Sequence, residues 1–323
     1  MTSRRFFNRR LIASVAFATL AIFVGGALWL RRDPTPHFDA RRGEFLRAES
    51  GPDRIDGGTA EHDVRVEGTS GLTITLAIRR PADGSANVKR TVFLVLGGHE
   101  RGRGAAAVIG DTRGAIFASL EYPFDGDHRA KGFAVLAQVP AIRRALFDTP
   151  PAVQLALDYL LARPDVDPDR VELVGASFGT PFATIAAARD PRITRLWLAH
   201  GGGDVWSLID LGLQKEIGNR FLRWPVSHLA YTLANGPNFT PEKWIARVAP
   251  RPVVMLNATE DEKIPRRTVE VLYAAAGEPK ELVWMPGLHM QGSRPDVLRQ
   301  LIDAVMERAD LTPKPTSAAT LPH

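Results

Sequence analysis

The segment Gly175-Ala176-Ser177-Phe178-Gly179 sets a serine between two glycines in the pattern G-x-S-x-G. A strand-like run at 171–174 leads into it, and a small-residue, helix-like run at 182–188 leads out. Such a strand–turn–helix elbow leaves the hydroxyl exposed at the top of a sheet, with the glycines permitting the sharp turn. A serine hydroxyl is a poor nucleophile near neutral pH. It needs a base within hydrogen-bond reach, and the base needs a third group to hold its tautomer. So equipped, it attacks a carbonyl carbon and takes the acyl group. The chain order for this geometry is serine, acid, histidine. Glu260-Asp261-Glu262 follows the apolar run 253–256, and Pro286-Gly287-Leu288-His289 follows the run 282–285. Asp204 is a rival acid that could equally cap a helix. Among the other histidines, His200 precedes three glycines and reads as a pocket-edge or structural residue. His99 and His128 come before the serine, and His228 sits in a later aromatic-bearing stretch. No HExxH or similar ligand spacing occurs, so the three adjacent acids read as a solvated loop, and no metal or organic cofactor is expected.

The elements that must hold these groups alternate along the chain. Residues 64–67 and 72–78 alternate as antiparallel strands do. The runs 91–96 and 115–120 are continuously apolar, as strands buried on both faces are. Residues 152–161 repeat apolar positions at helical spacing, and Pro164 follows. Strand-like 193–198 and 253–256, helix-like 268–276, strand-like 282–285 and helix-like 297–309 complete the series. The alternation predicts an α/β fold with a mostly parallel sheet and helices on both faces. The stretch from Trp206 to Trp244 breaks the pattern and reads as an inserted cap.

From about residue 72 to 309 the chain resembles the α/β-hydrolase superfamily, nearest its dienelactone-hydrolase-like and prolyl-oligopeptidase-like esterase branch. Ala249-Pro250-Arg251-Pro252-Val253-Val254-Met255-Leu256, followed by Asp261 and Pro265, is similar to the way that branch runs into its acid. The resemblance implies Ser177 as nucleophile, Asp261 as acid and His289 as base. It implies an oxyanion hole from the backbone N–H groups of Phe178 and His99, although Gly97-Gly98-His99 departs from the relatives' His-Gly-x. It implies hydrolysis of a small-molecule carboxylic ester through an acyl-enzyme. A peptidase, thioesterase or lactone hydrolase would carry the same triad, and a binding protein could keep the fold without the chemistry. Arg101 and Arg103 follow the oxyanion loop and either favour an anionic substrate or sit in solvent. Trp206, Trp224, Tyr231 and Trp244 either line an apolar pocket or form cap core.

Leu11 to Leu30 is twenty residues without a charge, bracketed by Arg4, Arg5, Arg9 and Arg10 before it and by Arg31 and Arg32 after it. Such a helix is about 30 Å long, the thickness of a hydrocarbon core. The larger basic cluster stays cytoplasmic, so the body is expected on the exported side. Ser3-Arg4-Arg5-Phe6-Phe7 resembles a twin-arginine export motif, and cleavage with secretion is the alternative. Residues 1–50 hold nine Arg against four acids, which accounts for the whole chain's formal charge of +5. The remainder is neutral, which argues against a nucleic-acid partner. There is no Cys among the 323 residues, which excludes disulfides and a thiolate nucleophile. The expected organisation is an Arg cluster and transmembrane signal anchor (1–32), a linker (33–60), an α/β-hydrolase domain (61–310) with a cap at about 204–244, and a disordered tail (311–323).

Overall fold

The structure is a computed structural model that describes residues 32–83, 88–98, 102–127, 129–130, 132 and 134–315, with scattered positions between 14 and 28. Among the described residues, eleven strands form one sheet in the order β1-β3-β4-β6-β5-β7-β8-β9-β10, with β2 beside β3 and β11 beside β5. The strands are β1 (Phe45–Ser50), β2 (Arg54–Asp56), β3 (Thr59–Gly68), β4 (Thr73–Pro81), β5 (Val88–Leu96), β6 (Ile116–Leu120), β7 (Val166–Ala176), β8 (Arg195–Ala199), β9 (Val253–Ala258), β10 (Lys280–Met285) and β11 (Lys314–Pro315). Pairing is antiparallel from β1 through β3 and β4 to β6, then parallel from β6 through β5, β7, β8 and β9 to β10.

The continuous apolar runs have a direct cause. Along β5, Val92, Leu94 and Leu96 enter one core and Phe93 enters the other. Successive side chains of a strand point to opposite faces, so a strand covered on both sides must be apolar throughout. The first core is the larger. It lies under α1 (Thr35–Arg42), α2 (Ala134–Leu161), α3 (Thr180–Arg189) and α8 (Arg266–Ala275), with Phe38, Leu155, Ile185 and Leu272 among its members. The second joins Phe93, Phe117 and Trp197 to Leu301 and Val305 of α9 (Pro295–Arg308). Between β8 and β9 stand α4 (Val205–Leu213), α5 (Arg220–Leu233), α6 (Gly236–Phe239) and α7 (Glu242–Ile245).

Four expectations need correction or limitation. Residues 33–60 are not a linker. They hold α1, β1 and β2 and begin β3, with Phe38 wholly buried in the main core. Arg41 clamps Asp148 of α2 through Nε–Oδ1 at 2.7 Å and Nη2–Oδ2 at 2.6 Å. The tail is not disordered at its start. Lys314 and Pro315 pair with β5, and Lys314 Nζ lies 2.9 Å from Asp167; residues 316–323 lie outside the described ones. The helix expected at 152–161 begins at Ala134 and contains Pro140, Pro150 and Pro151. An interior proline costs a helix about 3 kcal/mol, yet Ala152, Leu155 and Leu160 are fully buried along this one. As for the membrane segment, no described helix is long and apolar enough to cross a bilayer. Most of Leu11–Leu30 lies outside the described residues; Phe17, Leu20, Val24 and Leu28 of it are helical and exposed.

Candidate active site

β7 ends at Ala176, and a single 3-10 turn (Ser177–Gly179) connects it to α3. Ser177 itself takes the left-handed conformation, φ 51°. The flanking glycines serve a different need from the one read in the sequence. Gly179 has φ −70°, and a Cβ there would lie 2.3 Å from the Leu96 carbonyl oxygen. A Cβ on Gly175 would lie 2.6 Å from the Ala183 Cβ. The glycines let β5 and α3 close on the elbow, while the serine bears the strained φ, as residues at functional sites often do.

Ser177 Oγ lies 3.0 Å from His289 Nε2. His289 Nδ1 lies 2.8 Å from Asp261 Oδ2 and 3.0 Å from Oδ1. Asp261 Oδ1 also accepts the N–H groups of Lys263 and Ile264, at 2.9 and 2.8 Å, which sets the rotamer of the carboxylate. The loops after β9 and β10 are joined by Thr259 N–H to Met285 O at 2.8 Å and Glu260 N–H to Gly287 O at 3.1 Å. These bonds hold Asp261 beside His289, whose ring is buried.

The neighbours of the triad are partly those weighed as rivals. Asp204 caps α4, accepting from Ser207 Oγ at 2.6 Å. Glu260 is exposed. Glu262, on the exposed loop expected here, is nevertheless held by partners around His289. Its Oε2 accepts the His289 N–H at 2.8 Å, and its Oε1 accepts from Arg294 Nη1 at 2.7 Å and Gln291 Nε2 at 3.1 Å. Arg294 Nη1 in turn donates to the His289 carbonyl at 2.6 Å. Burial raises the Glu262 pKa, but the His289 N–H and the Arg294 guanidinium outweigh it and bring the value to about 2. The pair thus grips the peptide groups on both sides of the His289 Cα.

His200, after β8, is the residue whose part sequence reasoning left open. Its N–H donates to Leu256 O at 2.7 Å, its Nδ1 accepts the Met290 N–H at 2.9 Å, and its ring meets that of His289 edge-on at 5.5 Å. Burial depresses its pKa to about 4, against the pull of Asp261. His200, Asp261 and His289 are a cluster whose ligand atoms lie within 4.8 Å of one another. His200 Nδ1 accepts from the Met290 N–H, however, and His289 Nδ1 is bonded to Asp261, so both Nδ1 atoms already have partners within the protein.

Two cavities flank the elbow. One of about 100 Å³ is apolar and touches Gly97, Gly98, Ala176 and Met290. The other, of about 290 Å³, lies over Tyr122, Phe124, Leu146, Phe178 and Phe182. The Tyr122 hydroxyl donates to Gly97 O at 2.5 Å and so ties the loop after β6 to the loop after β5. His99 and Arg101 lie outside the described residues, as does His128. Arg103 pairs with Asp63 at 3.1 Å and Glu121 at 3.4 Å on the surface. Trp244 is core, packed on Phe38 at 6.4 Å; Trp224 is exposed and meets the His228 ring at a tilt, 4.1 Å between centroids.

A parallel sheet with an antiparallel flank, a serine on the turn after a central strand, and an acid and a histidine after the last two strands together define the α/β-hydrolase fold. Solved structures agree. The chain is similar to an acetyl xylan esterase from a Paenibacillus species at TM-score 0.61 and 18% identity, covering 83% of this chain and 92% of that one. It is similar to the α/β hydrolase GrgF from a Penicillium species at TM-score 0.53 and 16% identity, covering 77% and 99%. These likenesses establish the fold: the chain has the α/β-hydrolase fold. No family model matches the sequence. Among curated proteins the chain is 30% identical over 158 residues to the uncharacterized protein YfhR of Salmonella typhi, over 48% of this chain and 51% of that protein. The chain thus spans about half the length of the curated relatives it matches.

Proposed function

We propose that this chain is a serine hydrolase of carboxylic esters, with Ser177 as nucleophile, His289 as base and Asp261 as the acid that orients it. The observation that carries the reading is the unbroken series Ser177 Oγ–His289 Nε2 at 3.0 Å and His289 Nδ1–Asp261 Oδ2 at 2.8 Å. In this reading Ser177 Oγ attacks the ester carbonyl as His289 Nε2 takes its proton. The imidazolium is held by the Asp261 carboxylate. The oxyanion lies against the Phe178 N–H and, by its place in the sequence, the His99 N–H. Each such donor supplies about 3–4 kcal/mol of transition-state stabilisation. His289 then returns the proton to the leaving alcohol, and a water activated by the same base releases the acyl group. Support for esters rather than other acyl compounds comes from the Paenibacillus neighbour, an acetyl xylan esterase. The sequence supports a further part of the reading: Leu11–Leu30 anchors the chain in a membrane, with the catalytic domain on the exported side.

The test is hydrolysis of p-nitrophenyl esters from acetyl to decanoyl by the full chain, beside Ser177→Ala, together with labelling by a fluorophosphonate. Turnover and labelling in the parent that vanish in the variant are expected. A parent that neither turns over esters nor labels at Ser177 overturns the reading. Protease accessibility in sealed membrane vesicles tests the orientation: digestion only after the exported face is opened to the protease is the expected result.

A further inference from the structure

α5 is built inside out. At helical spacing its inward side carries Arg223 and Ser227, only 8% and 0% exposed. Both serve Asp210 of α4. Arg223 Nε lies 3.1 Å from each carboxylate oxygen, and Ser227 Oγ donates to Oδ1 at 2.6 Å. The outward side carries Phe221 at 87% exposure, Leu222 at 65% and Leu229 at 55%, with Val226 between them and Trp224 at the flank, also exposed. A surface helix of a water-soluble domain has the reverse polarity. A contiguous apolar face of this kind marks a docking surface.

The path of the chain identifies what covers it. Immediately after α5, Asn238 of α6 donates its Nδ2 to the Arg32 carbonyl at 3.1 Å. Arg32 directly follows the uncharged run Leu11–Leu30 and Arg31. Arg32, where the continuously described chain begins after that run, therefore sits against the cap. Exposed Arg220 opens α5, with exposed Lys215 and Glu216 in the turn before it, and a tryptophan near a basic residue is found in helices lying in a bilayer interface. We infer that α5 lies in the surface of the lipid bilayer that holds the N-terminal run, with Phe221, Leu222, Val226 and Leu229 turned into the lipid and Arg223 and Ser227 turned to the protein. The inference rests on the membrane reading of residues 11–30 and is independent of the ester reading. It seats the cap, and with it the end of the sheet that carries Ser177, against the membrane.

The absence of cysteine gives a clean test. Leu222→Cys and Leu229→Cys in the full chain each carry a single nitroxide, and Arg299→Cys on α9, where the side chain is 74% exposed, is the control. The proteins are reconstituted into phosphatidylcholine–phosphatidylglycerol vesicles and recovered by flotation. Electron paramagnetic resonance then reads accessibility to oxygen, which partitions into lipid, and to a water-soluble nickel chelate. Positions 222 and 229 are expected to favour oxygen severalfold over the chelate, and position 299 the reverse. A chain that floats while 222 and 229 report water overturns the docking and leaves the anchor. A chain that does not float overturns both. Labels at 222 shielded from both reagents, or broadened by a second label, show the face covered by protein or by a second copy, and overturn the lipid assignment.

Discussion

His200 Nδ1 lies 3.4 Å from Asp261 Oδ2 but accepts its proton from the Met290 N–H, at 2.9 Å. The imidazole is therefore neutral, with its proton on Nε2, and it leaves the Asp261 charge to His289. Burial is what keeps it so, holding the pKa at about 4 instead of 6.5. An unfolded chain takes up a proton near 6.5 that the folded chain refuses until about 4. Between those values the unfolded state binds more protons, so this group makes stability fall as pH falls, by up to about 1.4 kcal/mol per pH unit. His200→Asn keeps an acceptor near the Nδ1 position and suits the residue's φ of 48°. Urea denaturation of the variant between pH 4.5 and 7 is expected to show a shallower decline than the parent. An unchanged slope would sink the assignment of a buried neutral His200.

The Glu262–Arg294 pair grips both peptide groups of His289, so its loss should loosen the base without removing it. Glu262→Ala is expected to lower kcat for an ester substrate by roughly 10- to 100-fold with little change in KM, the size of effect that follows a misplacement of about 1 Å. Glu262→Gln, which keeps an acceptor for the His289 N–H, should recover part of the loss. A kcat equal to the parent's in Glu262→Ala would show that the His289 loop holds without the clamp.

Ser177→Ala is expected to lower kcat by at least about 10³-fold. Its unfolding midpoint should stay near the parent's, because Ala keeps the Cβ and the turn. Gly179→Ala should behave differently. Its Cβ would meet the Leu96 carbonyl at 2.3 Å, and relieving such overpacking typically costs about 1–3 kcal/mol. Thermal unfolding of the two variants separates lost chemistry from lost packing, and an equally stable Gly179→Ala would refute the close-approach account of the elbow.

Phe38→Ala tests whether residues 35–42 are part of the domain. The ring is wholly buried and meets Phe147, Phe239 and Trp244 at 6.1, 6.2 and 6.4 Å. A loss of about 3–5 kcal/mol is expected from urea unfolding. A change below about 0.5 kcal/mol, the range of surface substitutions, would return α1 to the status of a linker.

The sequence alone determined the turn and loops that bear the candidate triad, because each is a local signal. Gly175 to Gly179 is one short turn, and Asp261 and His289 each follow a short apolar run that must be a strand. The two-sided burial of β5 and β6 was legible for the same reason, since no other environment tolerates a run such as Val92 to Leu96. Tertiary structure decided the rest. α1 buries only Phe38, and one buried side chain leaves no period to read. The helix through Pro150 and Pro151 stands because its C-terminal half is packed in the core, a fact no propensity contains. Glu262 and His200 reach His289 across 27 and 89 residues of chain, distances over which spacing carries no information. The helical period of α5 says that it has two faces; only the position of Asp210, bound by Arg223 and Ser227, decides that the polar face looks inward.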